Sequence, residues 1–398
     1  MDDRPGATTQ VKPLEPYEGA AIARSLVPVL AAKAAEAEAQ RRPVDEVMDA
    51  VFGSGLLKHF VPEALGGHQG GCEELFEISS TLAEGCTSTA WIVGFNLYHH
   101  ILLMQFPAEV QREALGEDGY ISAPWCNTAE SSVATPVPGG FRLSGRNRWG
   151  SGITHANWCL ISSTLDNDAG KRLCLVRADD VEMIDTWHVD GMAGTGSYDV
   201  VVEDCFVPDE RAIDMADLAT GETPGSRIHG VTLHRFPIRS FYGLAAGSPA
   251  IGAARTAVRS FEQHVAQRTV KATQQTQATS GATQLRLGEA HTNLLTAELL
   301  FRDVARDLDT HAAADRVPDP EQRLRHRLQI AQAVGLCRDL IAALAASAGS
   351  SVHVLSHPLQ RALRDVNTLS GHGSVDRDTW CVAYGRHRLG LDPGLQLL

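Results

Sequence analysis

The chain has 398 residues, 43% hydrophobic and 21% charged, enough apolar material for a sizeable buried core. A formal net charge of -13 argues against a nucleic-acid partner, because an acidic surface repels phosphates. No apolar run approaches the roughly 20 residues of a membrane span, and the polar first residues lack an apolar leader, so no membrane and a cytoplasmic location are expected.

Residues 15–118 read as a helical domain. Leu26 to Ala39 is rich in Ala and Glu, and Pro43 suits the first turn of a helix that Gly53 or Gly55 ends. Cys72 to Glu84 and Ser88 to Met104 carry apolar residues at three- and four-residue spacing, and Pro107 opens a short helix over Ala108 to Leu115. Helical spacing stops over residues 119–220. Phe141, Leu143, Cys159, Ile161, Leu173, Leu175, Val200 and Val202 alternate with polar neighbours, and turn signals such as Pro138-Gly139-Gly140 and Asp166-Asn167-Asp168 fall between them. The spacing predicts a small antiparallel β-domain built from hairpins. Residues 221–398 return to helix, with long stretches at Phe241 to Val265, Ala282 to Thr310 and Pro320 to Ala348. Gln267 to Gly281 is polar and reads as a loop or the extended end of a helix. The polar head before residue 15 is the one candidate for disorder. Eight scattered cysteines have neither a C-x-x-C pair nor a histidine-spaced cluster. They are expected as small buried hydrophobes, without disulfides or metal.

Four motifs, in order, resemble the acyl-CoA dehydrogenase superfamily: Gly55-Leu56 with Val61 to Gly67, Trp149 to Trp158, Gly191 to Pro208, and Arg364-Asp365. The resemblance implies a mainly α fold with a β insert: an N-terminal helical domain, a central antiparallel β-domain and a C-terminal four-helix bundle. Two departures matter. No carboxylate stands where one large dehydrogenase branch keeps its base after the Arg-Asp pair; His372 lies there instead, between Gly371 and Gly373. The arginine-bearing motif that grips FAD pyrophosphate is not evident after Gln267-Arg268. What remains is similar to the two-component flavin-dependent monooxygenases. That implies reduced FMN or FAD (FMNH2 or FADH2) supplied by a separate flavin reductase, reaction with oxygen through a C4a-hydroperoxyflavin, and hydroxylation of an aromatic, phenolic or polyketide-like molecule. N-oxygenation of an amine or amino sugar is the alternative on the same fold, and acyl-CoA dehydrogenation a second. The resemblance also implies a homotetramer, and members serve natural-product pathways. No G-x-G-x-x-G follows a strand, so no nicotinamide site is expected.

Site residues follow from the same resemblance. Ser151 matches the flavin-side threonine and is expected to hydrogen-bond the flavin. His372 is the candidate base, because an imidazole titrating near neutrality can take a phenol's proton. Flanking glycines suggest a close-packed loop around it. Trp91 and His99, eight residues apart on one predicted helix face, are expected at the substrate and flavin pocket. Trp125, Asn127 and Trp149 are expected to touch flavin, and Cys126 and His99 to touch substrate. Arg239 is expected to begin the first long C-terminal helix and to offset the charge of reduced flavin; Arg227 and Arg235 are alternatives.

Overall fold

A computed structural model describes residues 18–127, 132–166, 170–270 and 274–394. The polar head and Asn167-Asp168 of one expected turn lie outside the described residues. Five helices come first: α1 (Gly19–Gln40), α2 (Asp45–Gly53), α3 (Cys72–Ala83), α4 (Thr87–Leu103) and α5 (Ala108–Leu115). Eight strands follow: β1 (Trp125–Cys126), β2 (Val133–Val137), β3 (Gly140–Gly150), β4 (Trp158–Leu165), β5 (Lys171–Arg177), β6 (Glu182–Ile184), β7 (Tyr198–Pro208) and β8 (Ala212–Asp214). The chain then returns to helix with α6 (Met215–Thr220), α7 (Tyr242–Gln267), α8 (Gly281–Ala313), α9 (Pro320–Ala348), α10 (Pro358–Ser370) and α11 (Arg377–Arg388). α7 to α10 pack on one another, α11 lies on α9, and α3 and α4 lie against α7.

The strands form one sheet of order β6-β7-β3-β2-β4-β5-β8, with β1 also paired to β4. It is mixed, not purely antiparallel as the alternation suggested, because β1 and β2 both run parallel to β4. β4 explains the difference. Trp158 and Leu160 join the helical core while Cys159 and Ile161 join a second core on the opposite face. A strand buried on both faces is the kind that accepts parallel neighbours. Three further expectations change. Gln267 to Gly281 contains a two-stranded ladder, Thr269–Val270 against Gln275–Thr276, and a short 3-10 turn. Cys381 is exposed and Cys205 half-buried, so not every cysteine is a core residue. α9 does contain an apolar window long enough to cross a membrane; 56% of it is buried within the fold, as a central bundle helix requires.

Candidate active site

A cavity of about 520 Å³ opens where α4, the sheet and the C-terminal helices meet. That size suits a small-molecule site. α4 is buried along its whole length, so what distinguishes its residues is which neighbour they face. Trp91, Phe95 and His99 recur every four residues and line the cavity along one stripe. Gly94 lets the other side approach closely: a Cβ there would lie 2.4 Å from Ser79 Oγ. Trp125, Asn127, Trp149, Trp187, Tyr242, Trp380 and the loop from Gly371 to Ser374 complete much of the wall.

The two cavity histidines have different tautomers, assigned by their neighbours. His99 Nδ1 lies 2.5 Å from the Ala123 carbonyl oxygen, which can only accept, so Nδ1 carries the proton. Its Nε2 is buried without a partner among the described residues and presents a lone pair. Burial, with His100 nearby, pushes its pKa down to about 3, so the ring is neutral. His372 is the reverse. The Ser374 backbone N–H donates to its Nδ1 at 3.3 Å, and the Ser374 hydroxyl lies 2.6 Å from the same atom. The neutral ring therefore keeps its proton on Nε2 and offers a donor. Burial first, then Arg327 and Arg239, lower its pKa to about 4. His372 also packs edge-on against Trp91, at 5.2 Å between ring centres.

Three arginines line the cavity and no carboxylate does among the described residues. Arg148 donates to Asp199 at 3.2 Å. Arg239 has a buried Nε with no hydrogen-bond partner among the described residues. Arg327 is buried, donates to the Ser374 carbonyl at 3.3 Å and lies over the Tyr242 and Trp380 rings. Its burial, and Arg239 beside it, lower its pKa to about 10. A chain of hydroxyls borders the same space. Trp91 Nε1 donates to Ser151 Oγ at 3.3 Å, Ser151 Oγ lies 2.8 Å from Ser197 Oγ, and Ser197 Oγ lies 2.7 Å from Thr195 Oγ1.

The structure thus gathers Trp91, His99, Trp125, Asn127, Trp149, Ser151, Arg239 and His372 around one cavity. Cys126 is the exception. It follows Trp125 on a strand, so it points to the opposite face, into the second core with Leu143 and Ile161. Ser151 stands just past the end of β3, not within it, and Arg239 precedes α7 by three residues. Arg227 and Arg235 pair with Glu222 and Asp315, away from the cavity. The glycines beside His372 are not there for close packing: a Cβ at Gly373 would meet nothing within 4 Å. Sequence reasoning missed Arg327, Thr195, Ser197, Trp187 and Tyr242. Arg327 did leave a signal, a charge on the buried face of α9 shared with Leu324, Ile330, Ala331 and Val334. Aromatic walls, unpartnered buried nitrogens on His99 and Arg239, and excess positive charge fit a flat, polar-edged ring that carries negative charge when reduced.

The known proteins agree with that fit. The chain matches the acyl-CoA dehydrogenase N-terminal domain over residues 20–119 and the acyl-CoA dehydrogenase C-terminal domain over residues 244–377. It is 30% identical over 376 residues to a pigment production hydroxylase of Rhodococcus sp., covering 92% of this chain and 95% of the relative. It is 33% identical over 370 residues to the oxygenase component of an FADH2-dependent resorcinol hydroxylase of Rhizobium sp., covering 89% and 90%. Among solved structures, XiaF from Streptomyces sp., in complex with FADH2 and glycerol, superposes with a TM-score of 0.89 at 27% identity, covering 96% of this chain and 97% of that one. The chain belongs to the acyl-CoA dehydrogenase superfamily and, within it, to the flavin-dependent hydroxylases that act as the oxygenase component beside a separate reductase.

Proposed function

We propose that this oxygenase hydroxylates a phenol, with resorcinol-like molecules the first class to try. The observation that carries the reading is a cavity with no carboxylate, one acceptor imidazole, one donor imidazole, and two guanidiniums, Arg239 and Arg327, with no acidic ion-pair partner among the described residues. Reduced flavin, when bound, supplies with oxygen the atom that is transferred. The protein's part is position, dryness and charge. His99 Nε2 accepts the phenol O–H and polarises it toward the phenolate, which makes the ring a better carbon nucleophile. At a pKa of about 3 His99 holds a hydrogen bond better than it takes a full proton. Arg239 and Arg327 stabilise the negative charge that collects as the phenol and the reduced flavin share the site. His372 donates through Nε2, so the role of base assigned to it from sequence passes, in this reading, to His99. Trp91, Trp125 and Trp149 give the flavin ring its walls, and Asn127 a polar edge. Dehydrogenation of an acyl-CoA needs a carboxylate to remove a substrate proton, and among the described residues none lines the cavity.

FADH2 is the form the relatives support; it arrives by diffusion from the reductase, and a cytoplasmic location goes with that supply. A homotetramer is part of the same proposal. Leu285, Leu295 and Leu299 are exposed within one narrow sector of α8, a place for a second copy, and sedimentation velocity would measure the assembly. The central test supplies the protein with FADH2, oxygen and a panel of phenols, and quantifies hydroxylated product against hydrogen peroxide. Product that rises with protein concentration supports the reading. Peroxide alone across the phenols, with product from an amine, overturns it in favour of N-oxygenation.

A further inference from the structure

We propose that Ser197 and Thr195 select the redox state of the bound flavin by fixing the direction in which Ser151 hydrogen-bonds. The inference rests on the flavin reading above and further takes the flavin hydrogen bond expected of Ser151 to be made at the N5 edge of the ring. Its basis is a count of protons. Thr195 Oγ1 lies 2.8 Å from the Met192 carbonyl oxygen, which can only accept. A hydroxyl has one proton, so that of Thr195 is committed. The 2.7 Å contact between Thr195 and Ser197 can then be bridged only by the Ser197 proton. The 2.8 Å contact between Ser197 and Ser151 can in turn be bridged only by the Ser151 proton. Reversing the chain would leave two oxygens 2.8 Å apart at its far end with no proton between them. Thr195 is 1% exposed and Ser197 3%, so water is not at hand to relieve such a contact.

Ser151 is therefore an acceptor toward the cavity. Its proton points away along the chain, one lone pair takes Trp91 Nε1–H, and the other is left for the ligand. Flavin N5 bears a hydrogen when reduced and a lone pair when oxidised. An acceptor-only Ser151 gains a hydrogen bond from the first and opposes the second lone pair to lone pair. The site holds what the reductase delivers and lets go of the spent cofactor. The chain is anchored beyond the cavity, since Asp365 on α10 accepts the Met192 N–H at 2.6 Å and fixes the peptide that receives the Thr195 proton.

The test is a set of dissociation constants. FAD would be titrated aerobically by fluorescence and FADH2 anaerobically by ultrafiltration, into the intact protein and four variants. Ser197→Ala and Thr195→Val free the Ser151 proton to turn toward the cavity. Each is expected to lower the preference for FADH2 over FAD by about tenfold, the worth of one strong hydrogen bond gained or lost. Thr195→Ser keeps the donor and is expected to keep the preference. Thr195→Val is close to isosteric and carries the test if Ser197→Ala does not fold. If both variants retain the original preference while Ser151→Ala changes it, the proton chain is wrong and the flavin reading stands. If Ser151→Ala also leaves both constants unchanged, the placement of flavin at Ser151 falls as well, and the inference with it.

Discussion

His99 and His372 are the same side chain put to different uses by a single contact on Nδ1. A carbonyl oxygen faces one Nδ1 and a backbone N–H faces the other, so one ring presents a lone pair and the other a proton. Both have pKa values lowered first by burial, and both are neutral at pH 7. Two outcomes follow. His99→Ala is expected to lower kcat/KM for a phenol by about 10²-fold or more, with oxygen diverted to hydrogen peroxide, measured as product per FADH2 consumed. His372→Gln keeps an N–H donor and is expected to stay within about tenfold of the parent enzyme. A loss as large as that of His99→Ala would return the role of base to His372. None of this was legible in sequence, because the spacing of histidines does not say which atom lies over Nδ1.

At the scale of elements, the segment Gly191 to Ser197 connects the helical bundle to the sheet. A Cβ at Gly191 would lie 2.1 Å from the Arg364 carbonyl oxygen, so only glycine lets α10 come this close. Met192 has φ 58°, a left-handed conformation uncommon for such a residue. The Asp365 hydrogen bond to Met192 N–H holds it there, and burial raises the Asp365 pKa to about 6. Asp365→Ala would leave a buried N–H without its partner, at a cost of about 1–3 kcal/mol. The expected result is a lower Tm together with weaker FADH2 binding; a lower Tm with unchanged binding would separate the tether from the site. Both motifs, Gly191 onward and Arg364-Asp365, were visible in the sequence as a resemblance. Their contact across 173 residues was not.

For the molecule as a whole, the buried histidines are expected to weaken the fold as pH falls. His59, His99, His100, His234 and His372 have pKa values lowered by burial to about 4, 3, 4, 3 and 4 from 6.5. Between pH 6.5 and 4 the unfolded chain binds protons that the native state refuses. Stability therefore falls as pH falls, by up to about 1.4 kcal/mol per pH unit for each such histidine. Asp365 acts in the opposite sense. Its native carboxyl takes a proton near pH 6 and its unfolded one only near 3.8, which offsets about one histidine over that range. The expected outcome is a Tm that drops steeply from pH 6.5 to 4.5, measured by calorimetry in matched ionic strength. A flat profile would mean that these rings have access to water in the native state.

The sequence by itself determined the kind of molecule. Apolar spacing of three and four residues placed the helices, with Ala108–Leu115 and Pro320–Ala348 matching in both bounds, because that periodicity is a local consequence of helix geometry. Motif order carried the family, and the same resemblance, applied to Trp91 and His99 two turns apart on one predicted helix face, pointed at the cavity; Phe95 between them was not singled out. Tertiary structure alone decided the parallel pairing of β4, the turning of Cys126 into the second core, the arrival of Arg327 from a distant helix, and which ring nitrogen of His99 and of His372 carries the proton. Each of these depends on which atom lies opposite another across many residues of chain, and that is settled only when the elements pack.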